Sequence, residues 1–223
     1  MAGVLSEADS TARRHQLLNT LAGCSFVLGG GLFALGALMA QQGTVGLTSV
    51  NVTYLVGGAF FSTGGYLSIL LADGAGSRAR RSAVVLFVGT LSFAVSLVGA
   101  FFQGLTPRQS DGWIWLPDMV GCVCFLVSGH LALLDLGAGG LRFRPDLVDW
   151  WVAAVNQVGS ILFFLAGLAA FIRPATDDPV NIGLVNWGTF AGAMCFCAAG
   201  VVQAFPTPAP TRTVGTPRHD TAE

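Results

Sequence analysis

The chain has 223 residues, 53% of them hydrophobic and 10% charged, with a formal net charge of −1. Soluble domains carry about 25% charged residues, so an ordinary water-soluble domain is excluded. All 11 basic residues are arginine and no basic face points to nucleic acid as a partner. The 30 glycines follow no G-X-Y period, which excludes collagen, and they suit membrane helices whose backbones approach closely.

Residues 1–15 form a polar N-terminal segment ending in Arg13, Arg14 and His15. The first apolar run covers 17–40. Leu21-Ala22-Gly23-Cys24 has the look of a lipoprotein cleavage box. A signal's apolar core should precede the cysteine, yet here most of the run follows it, so the segment reads as an uncleaved membrane helix. Five further runs, at about 49–72, 83–106, 113–136, 150–172 and 182–204, each reach the roughly 20 residues that cross a hydrocarbon core.

Six crossings leave both termini on one side of the bilayer, and the arginines choose which. Arg13, Arg14, Arg78, Arg80, Arg81, Arg142, Arg144, Arg212 and Arg218 fall on one face, Arg108 and Arg173 on the other. This asymmetry predicts cytoplasmic N- and C-termini in a cell membrane. Trp113, Trp115 and Trp187 then start helices at the outer headgroup level, and Trp150 and Trp151 at the inner one. The stretch 205–223, with Pro206, Pro208, Pro210 and Pro217, reads as a disordered cytoplasmic tail.

One pattern is written repeatedly along these runs. A small residue is followed by an aromatic or cysteine pair at three and four, then by another small residue at seven. Gly57, Phe60, Phe61 and Gly64 make the first clear copy; Gly121, Phe125 and Ser128 the second; Gly192 and Phe196 the third. Ser160, Phe163 and Gly167 form a looser one, and Gly23, Gly89 and Ser160 mark the odd-numbered helices. At about 100° per residue a step of seven returns to within about 20° of its start, so each copy is one helix stripe made for packing. The predicted fold is therefore all-α: a six-transmembrane-helix bundle built from three repeated two-helix hairpins, 16–72, 83–137 and 149–204. Small residues let backbones approach and phenyl rings fill the holes beside them, since hydrophobic burial cannot drive helices together in lipid.

Ionisable groups inside such a bundle would signal function. Asp118 lies roughly 8 Å inside the outer end of the fourth helix, at 1.5 Å per residue. Following Pro117, it reads as a carboxylate near a helix start. It also defines a candidate polar pocket with Asn51, Tyr54, Asn186 and Thr189 at the matching level of the other even-numbered helices. His130, with Tyr66 aligned to it and Asn156 nearby, marks a second polar level toward the inner side.

Enzyme signatures such as HExxH, a Walker loop or GxSxG are missing, so no catalytic residue, metal site or cofactor is expected. Cys24, Cys122, Cys124, Cys195 and Cys197 all lie in apolar runs. Two cysteines two apart on a helix point about 160° away from each other, so neither C-x-C pair chelates one ion.

Asn156-Gln157-Val158-Gly159-Ser160-Ile161-Leu162-Phe163-Phe164, followed by Trp187-Gly188-Thr189-Phe190, resembles the YrhK-like domain, a two-helix membrane module of bacteria. The resemblance covers the fifth and sixth helices, implies a multi-pass bacterial protein, and carries no catalytic residues. Two functional readings follow. The first is a non-enzymatic packing or interaction protein whose partners are the bilayer and either a second copy, as a homo-oligomer, or another membrane protein. The second is a small transporter or channel for a neutral or weakly polar solute, motivated by the repeats.

Overall fold

The computed structural model describes residues 2–205, with side chains from Asp9 onward. Six helices are long and apolar enough to cross a membrane: α1 (Ala2–Gln42), α2 (Leu47–Leu71), α3 (Ser77–Gly99), α4 (Pro107–Leu136), α5 (Val148–Ala169) and α6 (Ile182–Ala204). A two-residue hairpin, β1 (Ile172–Arg173) with β2 (Asp178–Pro179), joins α5 to α6. The chain is thus an all-helical bundle compatible with a multi-pass membrane protein. Each helix packs on its neighbours in sequence, and α1 packs on α6, so the six form a closed ring.

Hydropathy located the helices better than it located their ends. Of the polar segment 1–15, residues 2–15 are the first turns of α1. Helix α3 starts at Ser77 rather than 83, because Arg78, Arg80 and Arg81 are good helix formers and can extend a helix past its apolar run. Helix α4 starts at Pro107, where Thr106 closes a capping box: its Oγ1 accepts from Gln109 N at 3.4 Å, and Gln109 Oε1 accepts from Thr106 N at 3.0 Å. Pro117 stands, as expected, in the first turn of the α-helical stretch Leu116–Leu136 with Asp118 beside it, but the rod continues ahead of it. Within that rod the proline has no N–H for the carbonyl of Trp113, and its ring would crowd that carbonyl. The rod answers with a π turn over Asp111–Trp115, immediately before the proline. The freed Trp113 carbonyl lies against Gly99 of α3, 2.8 Å from where a Cβ would stand. The predicted disordered tail lies, apart from Phe205, outside the described residues.

The core is a stack of phenyl rings. Phe61, Phe125 and Phe196, from α2, α4 and α6, form a triangle with centroids 6.2, 5.6 and 5.5 Å apart. A second layer comes from α1, α3 and α5, where Phe163 lies 6.1 Å from Phe33 and 6.3 Å from Phe93. Each ring of the second layer rests on one of the first: Phe33 on Phe61 at 5.3 Å, Phe93 on Phe125 at 5.0 Å, Phe163 on Phe196 at 5.3 Å. Most of these contacts are edge-to-face or tilted, the arrangement that ring quadrupoles favour.

Glycines make room for the stack. Gly57, Gly121 and Gly192 face Phe33, Phe93 and Phe163, while Gly29, Gly89 and Gly159 face Phe61, Phe125 and Phe196. The odd-numbered helices therefore use Gly29, Gly89 and Gly159, each four residues before its phenylalanine, and not the set Gly23, Gly89 and Ser160 expected from spacing. Of the packing residues named from sequence, Gly57, Phe61, Gly64, Gly121, Phe125, Ser128, Ser160, Phe163, Gly167, Gly192 and Phe196 are buried. Phe60 is half-exposed and outside the stack, since only the second member of its pair turns inward.

Gly23 and Gly30 serve a different contact. They form the seam between α1 and α6, where a Cβ on Gly23 would lie 2.6 Å from Ala204 N and one on Gly30 would lie 2.8 Å from the Ala193 carbonyl. Amide pairs button this seam at both ends. Asn19 Nδ2 donates to Gln203 O at 2.9 Å and Gln203 Nε2 to Asn19 Oδ1 at 3.2 Å. At the opposite end Asn186 Nδ2 donates to Gln41 Oε1 at 3.1 Å. Between α3 and α4, Ser82 and Ser128 each donate to the other's carbonyl at 2.9 Å. Such polar ties cost little to satisfy and fix the helices where lipid offers no alternative partner.

Candidate functional site: two cavities either side of a phenyl plug

Above and below the ring stack the bundle opens. At the end that carries Arg108 and Arg173, a cavity of about 270 Å³ is lined by Asn51, Tyr54, Ser96, Asp111, Trp115, Asp118, Cys122 and Thr189, with Phe33, Phe93 and Phe163 also in its wall. At the arginine-rich end, a wider cavity of about 600 Å³ includes Asn19, Ser68, Asp135, Asp149, Asn156 and Gln203 in its wall. A narrower one of about 140 Å³ shares Ser68, Ser82, Asn156 and Gln203 with it and reaches Phe61, Phe125 and Phe196. The two phenyl layers thus separate a cavity open toward one end from a vestibule open toward the other.

The helical period explains who lines what. Tyr54, Asp118 and Thr189 each stand seven residues before Phe61, Phe125 and Phe196, on the same face of α2, α4 and α6, and all three line the first cavity. Ser68, Ala132 and Gln203 stand seven residues after those phenylalanines and line the vestibule. On the odd-numbered helices Phe26, Leu86 and Asn156 stand seven residues before Phe33, Phe93 and Phe163, and line it too.

Asp118 is placed by the π turn and by its neighbours on α5. Its Oδ2 lies 3.1 Å from where a Cβ on Gly167 would be, and 4.0 Å from Cys122 Sγ. Trp115 Nε1 donates to the Gly167 carbonyl at 2.8 Å, which holds the indole in the cavity wall. It is not a headgroup anchor as its position in sequence suggested, whereas Trp113 and Trp187 are exposed. Asn51 Nδ2 donates to the Ala100 carbonyl at 2.8 Å, and Asp111 Oδ1 accepts from Ile172 N at 3.0 Å, tying the hairpin down beside the cavity. Tyr54 packs its ring on Phe33 at 5.3 Å.

Neither a family model, nor a curated protein, nor a solved structure matches this chain. The reading of the site therefore rests on its own geometry.

Of the pocket residues proposed from sequence, Asp118, Asn51, Tyr54 and Thr189 meet in one cavity, and Asn156 lines the vestibule. Three do not join them. Asn186 is buried against α1 through Gln41. Tyr66 is 52% exposed on the outside of the ring, where it packs on Phe87 at 6.0 Å, and His130 is exposed. None of these three cavities joins Asp118 to His130.

Sequence reading missed Ser96, Asp111 and Cys122 in the first cavity, and Ser68, Ser82 and Asp149 in the vestibule. The two C-x-C pairs diverge: Cys122 Sγ donates to the Phe163 carbonyl at 3.5 Å while Cys124 faces Gly89, and Cys195 faces Gly159 while Cys197 faces Gly30. Gln157 Oε1 is the one buried side-chain oxygen or nitrogen among the described residues without a hydrogen-bond partner, and it lies against Gly129.

Charge on the two walls has one sign. Asp111 and Asp118 line the first cavity and Asp135 and Asp149 the vestibule, while among the described residues no arginine or histidine lines either. Arg144, on the surface between α4 and α5, pairs instead with Asp146 at 3.1 Å. That hydrogen bond holds the Asp146 carboxyl below its ordinary range and raises the guanidinium.

Proposed function

We propose that this chain is a small membrane transporter that moves a small solute between its two cavities past the phenyl plug. The observation that carries this reading is the pair of polar-lined cavities facing opposite ends of one bundle, separated only by stacked side chains. Hydrophobic constrictions of this kind gate passage by excluding water, and rings can turn aside where backbone cannot. The seven-residue correspondence of Tyr54, Asp118 and Thr189, and of the glycines that receive each ring, supports a bundle of three related hairpins around one central path. Substrate sites at the interface of repeats are a common transporter plan.

The packing-protein reading loses its main motive. Its small-residue stripes are already spent on contacts inside the chain, so they do not offer a surface to a partner. The placement of Arg78, Arg80, Arg81, Arg142 and Arg144 at one end supports a cytoplasmic orientation for that end and for both termini, in a cell membrane. The YrhK-like resemblance of α5 and α6 fits a bacterial source and adds no activity.

The test is solute entry into liposomes carrying the full chain, followed by light scattering after an osmotic step. The panel comprises glycerol, urea, and chloride salts of small cations. At least one should enter faster than into protein-free liposomes of the same lipid; equal rates across the whole panel would remove the transport reading.

A further inference from the structure

We infer that the cargo is a small organic ammonium ion, held in the first cavity by Asp118 and by the aromatic rings around it. The inference rests on the transport reading and names the chemistry of its substrate.

Three features of the walls and of Asp118 support a cation held there. The first is the charge of the walls: four aspartates line the two cavities, and none of the described arginines does. Rings of carboxylates favour cations by attracting them and by repelling anions. The second is Asp118 itself. Its neighbours include the Cys122 thiol, the Gly167 backbone and the Tyr54 phenol, with no basic side chain among the described residues lining the cavity. A carboxylate in a low-dielectric site is costly without a partner, and a cationic cargo would supply one. The third is position, since Asp118 stands on the face of α4 that leads directly down to Phe125 and the plug.

The choice between an organic and an inorganic cation follows from the rest of the wall. Hard metal ions want a shell of six or more oxygens. Here much of the lining is carbon: Tyr54, Trp115, Phe33, Phe93 and Phe163 present rings to the same cavity as Asp118. Ring faces bind alkylated ammonium groups, which are too weakly hydrated to demand an oxygen shell. A cavity of about 270 Å³ admits only a small cargo, since pockets for drug-sized molecules run upward from about 300 Å³.

The experiment uses radiolabelled tetramethylammonium, which is permanently charged and cannot leak across lipid as a neutral base, with sodium and glycerol as comparators. Liposomes holding the wild-type chain should take up tetramethylammonium faster than empty ones, and Asp118→Asn should slow that uptake by at least about tenfold, the loss expected when one partner of a desolvated charge pair is removed. Glycerol entry, if any, should be the same in both proteins. Because a change at a buried carboxylate also tests folding, binding is read independently on the wild type in detergent. Tetramethylammonium chloride should raise the unfolding temperature above that in sodium chloride of equal ionic strength, as binding to the folded state requires.

Uptake of glycerol alone, unchanged by Asp118→Asn, would overturn the ammonium assignment while leaving transport standing. Sodium uptake that depends on Asp118 with no tetramethylammonium uptake would also overturn it. A thermal shift without flux of any solute would keep the ammonium site and refute transport. Absence of both the shift and the Asp118-dependent uptake would end the proposal.

Discussion

Phe125→Ala should turn the bundle leaky. Phe125 is 2% exposed and touches rings of both layers, with Phe61 at 6.2 Å, Phe93 at 5.0 Å and Phe196 at 5.5 Å. It also lines the narrow upper part of the vestibule, and Cys122, one turn earlier on the same helix, lines the cavity on the far side. Removing the ring therefore deletes one of the three rings of the vestibule-side layer and the ring on which Phe93, in the wall of the first cavity, rests. Large-to-small changes of this kind in cores cost about 3–5 kcal/mol when the surroundings do not collapse. Glycines at 89 and 121 already sit against Phe125 and Phe93, so little side-chain volume is at hand to refill the space. Liposomes loaded with a pH-sensitive dye should show faster proton and small-ion leak with Phe125→Ala than with the wild type. An unchanged leak from a folded variant would mean that the rings are not the barrier.

The second large effect is expected at the seam between α1 and α6. Gly23→Val should destabilise the folded bundle by about 1–3 kcal/mol, the usual cost of forcing side-chain atoms into a packed interface. A Cβ at this position would meet Ala204 N at 2.6 Å, the Gly200 carbonyl at 2.8 Å and Ala204 Cα at 2.9 Å. All three are backbone atoms of a helix, which cannot turn aside as a side-chain tip can. Helix α6 would have to move away, and the Asn19–Gln203 amide pair would be strained with it. Gly31→Ala on the same helix is the control, because a Cβ there meets nothing within 4 Å. It should leave stability unchanged or raise it by up to about 1 kcal/mol through helix propensity. Chemical unfolding in mild detergent separates the two, and equal midpoints for both variants would contradict the close packing of this seam.

Much of this architecture was legible from residues alone, and the failures have specific physical causes. Long apolar runs identify membrane helices because lipid leaves the backbone no other way to satisfy its hydrogen bonds. The inward rings Phe61, Phe125, Phe163 and Phe196 were visible through the step of seven. Depth along a helix, however, does not fix direction around it. His130 and Tyr66 were grouped with the pocket by depth, yet each stands five residues after an inward phenylalanine, about 140° around the helix. Counting from Phe125 and Phe61 would have turned both outward. Asp118 and Thr189 pass the same count, being seven residues before Phe125 and Phe196.

Other features lay beyond that count. Gly23 and Gly29 both belong to acceptable stripes, and only the closure of α1 on α6 decides that Gly23 serves the seam while Gly29 serves the ring stack. Pro117 permits either a helix start or a distortion; the cap at Thr106, eleven residues before it, starts the rod early and puts the π turn Asp111–Trp115 ahead of the proline. Asn186 sits at the level of Thr189, but its amide is claimed by Gln41 of α1.

Transport requires that the two cavities face opposite sides of the membrane with the phenyl layers between them. The most direct measurement is thiol labelling from each side of sealed, oriented vesicles. The background is a chain in which Cys24, Cys122, Cys124, Cys195 and Cys197 are replaced by alanine. Thr189→Cys places a thiol in the first cavity and Ser68→Cys places one in the vestibule. A membrane-impermeant reagent should label Thr189→Cys only from the side opposite the arginine-rich loops and Ser68→Cys only from the arginine-rich side. Labelling of both from the same side would contradict the arrangement.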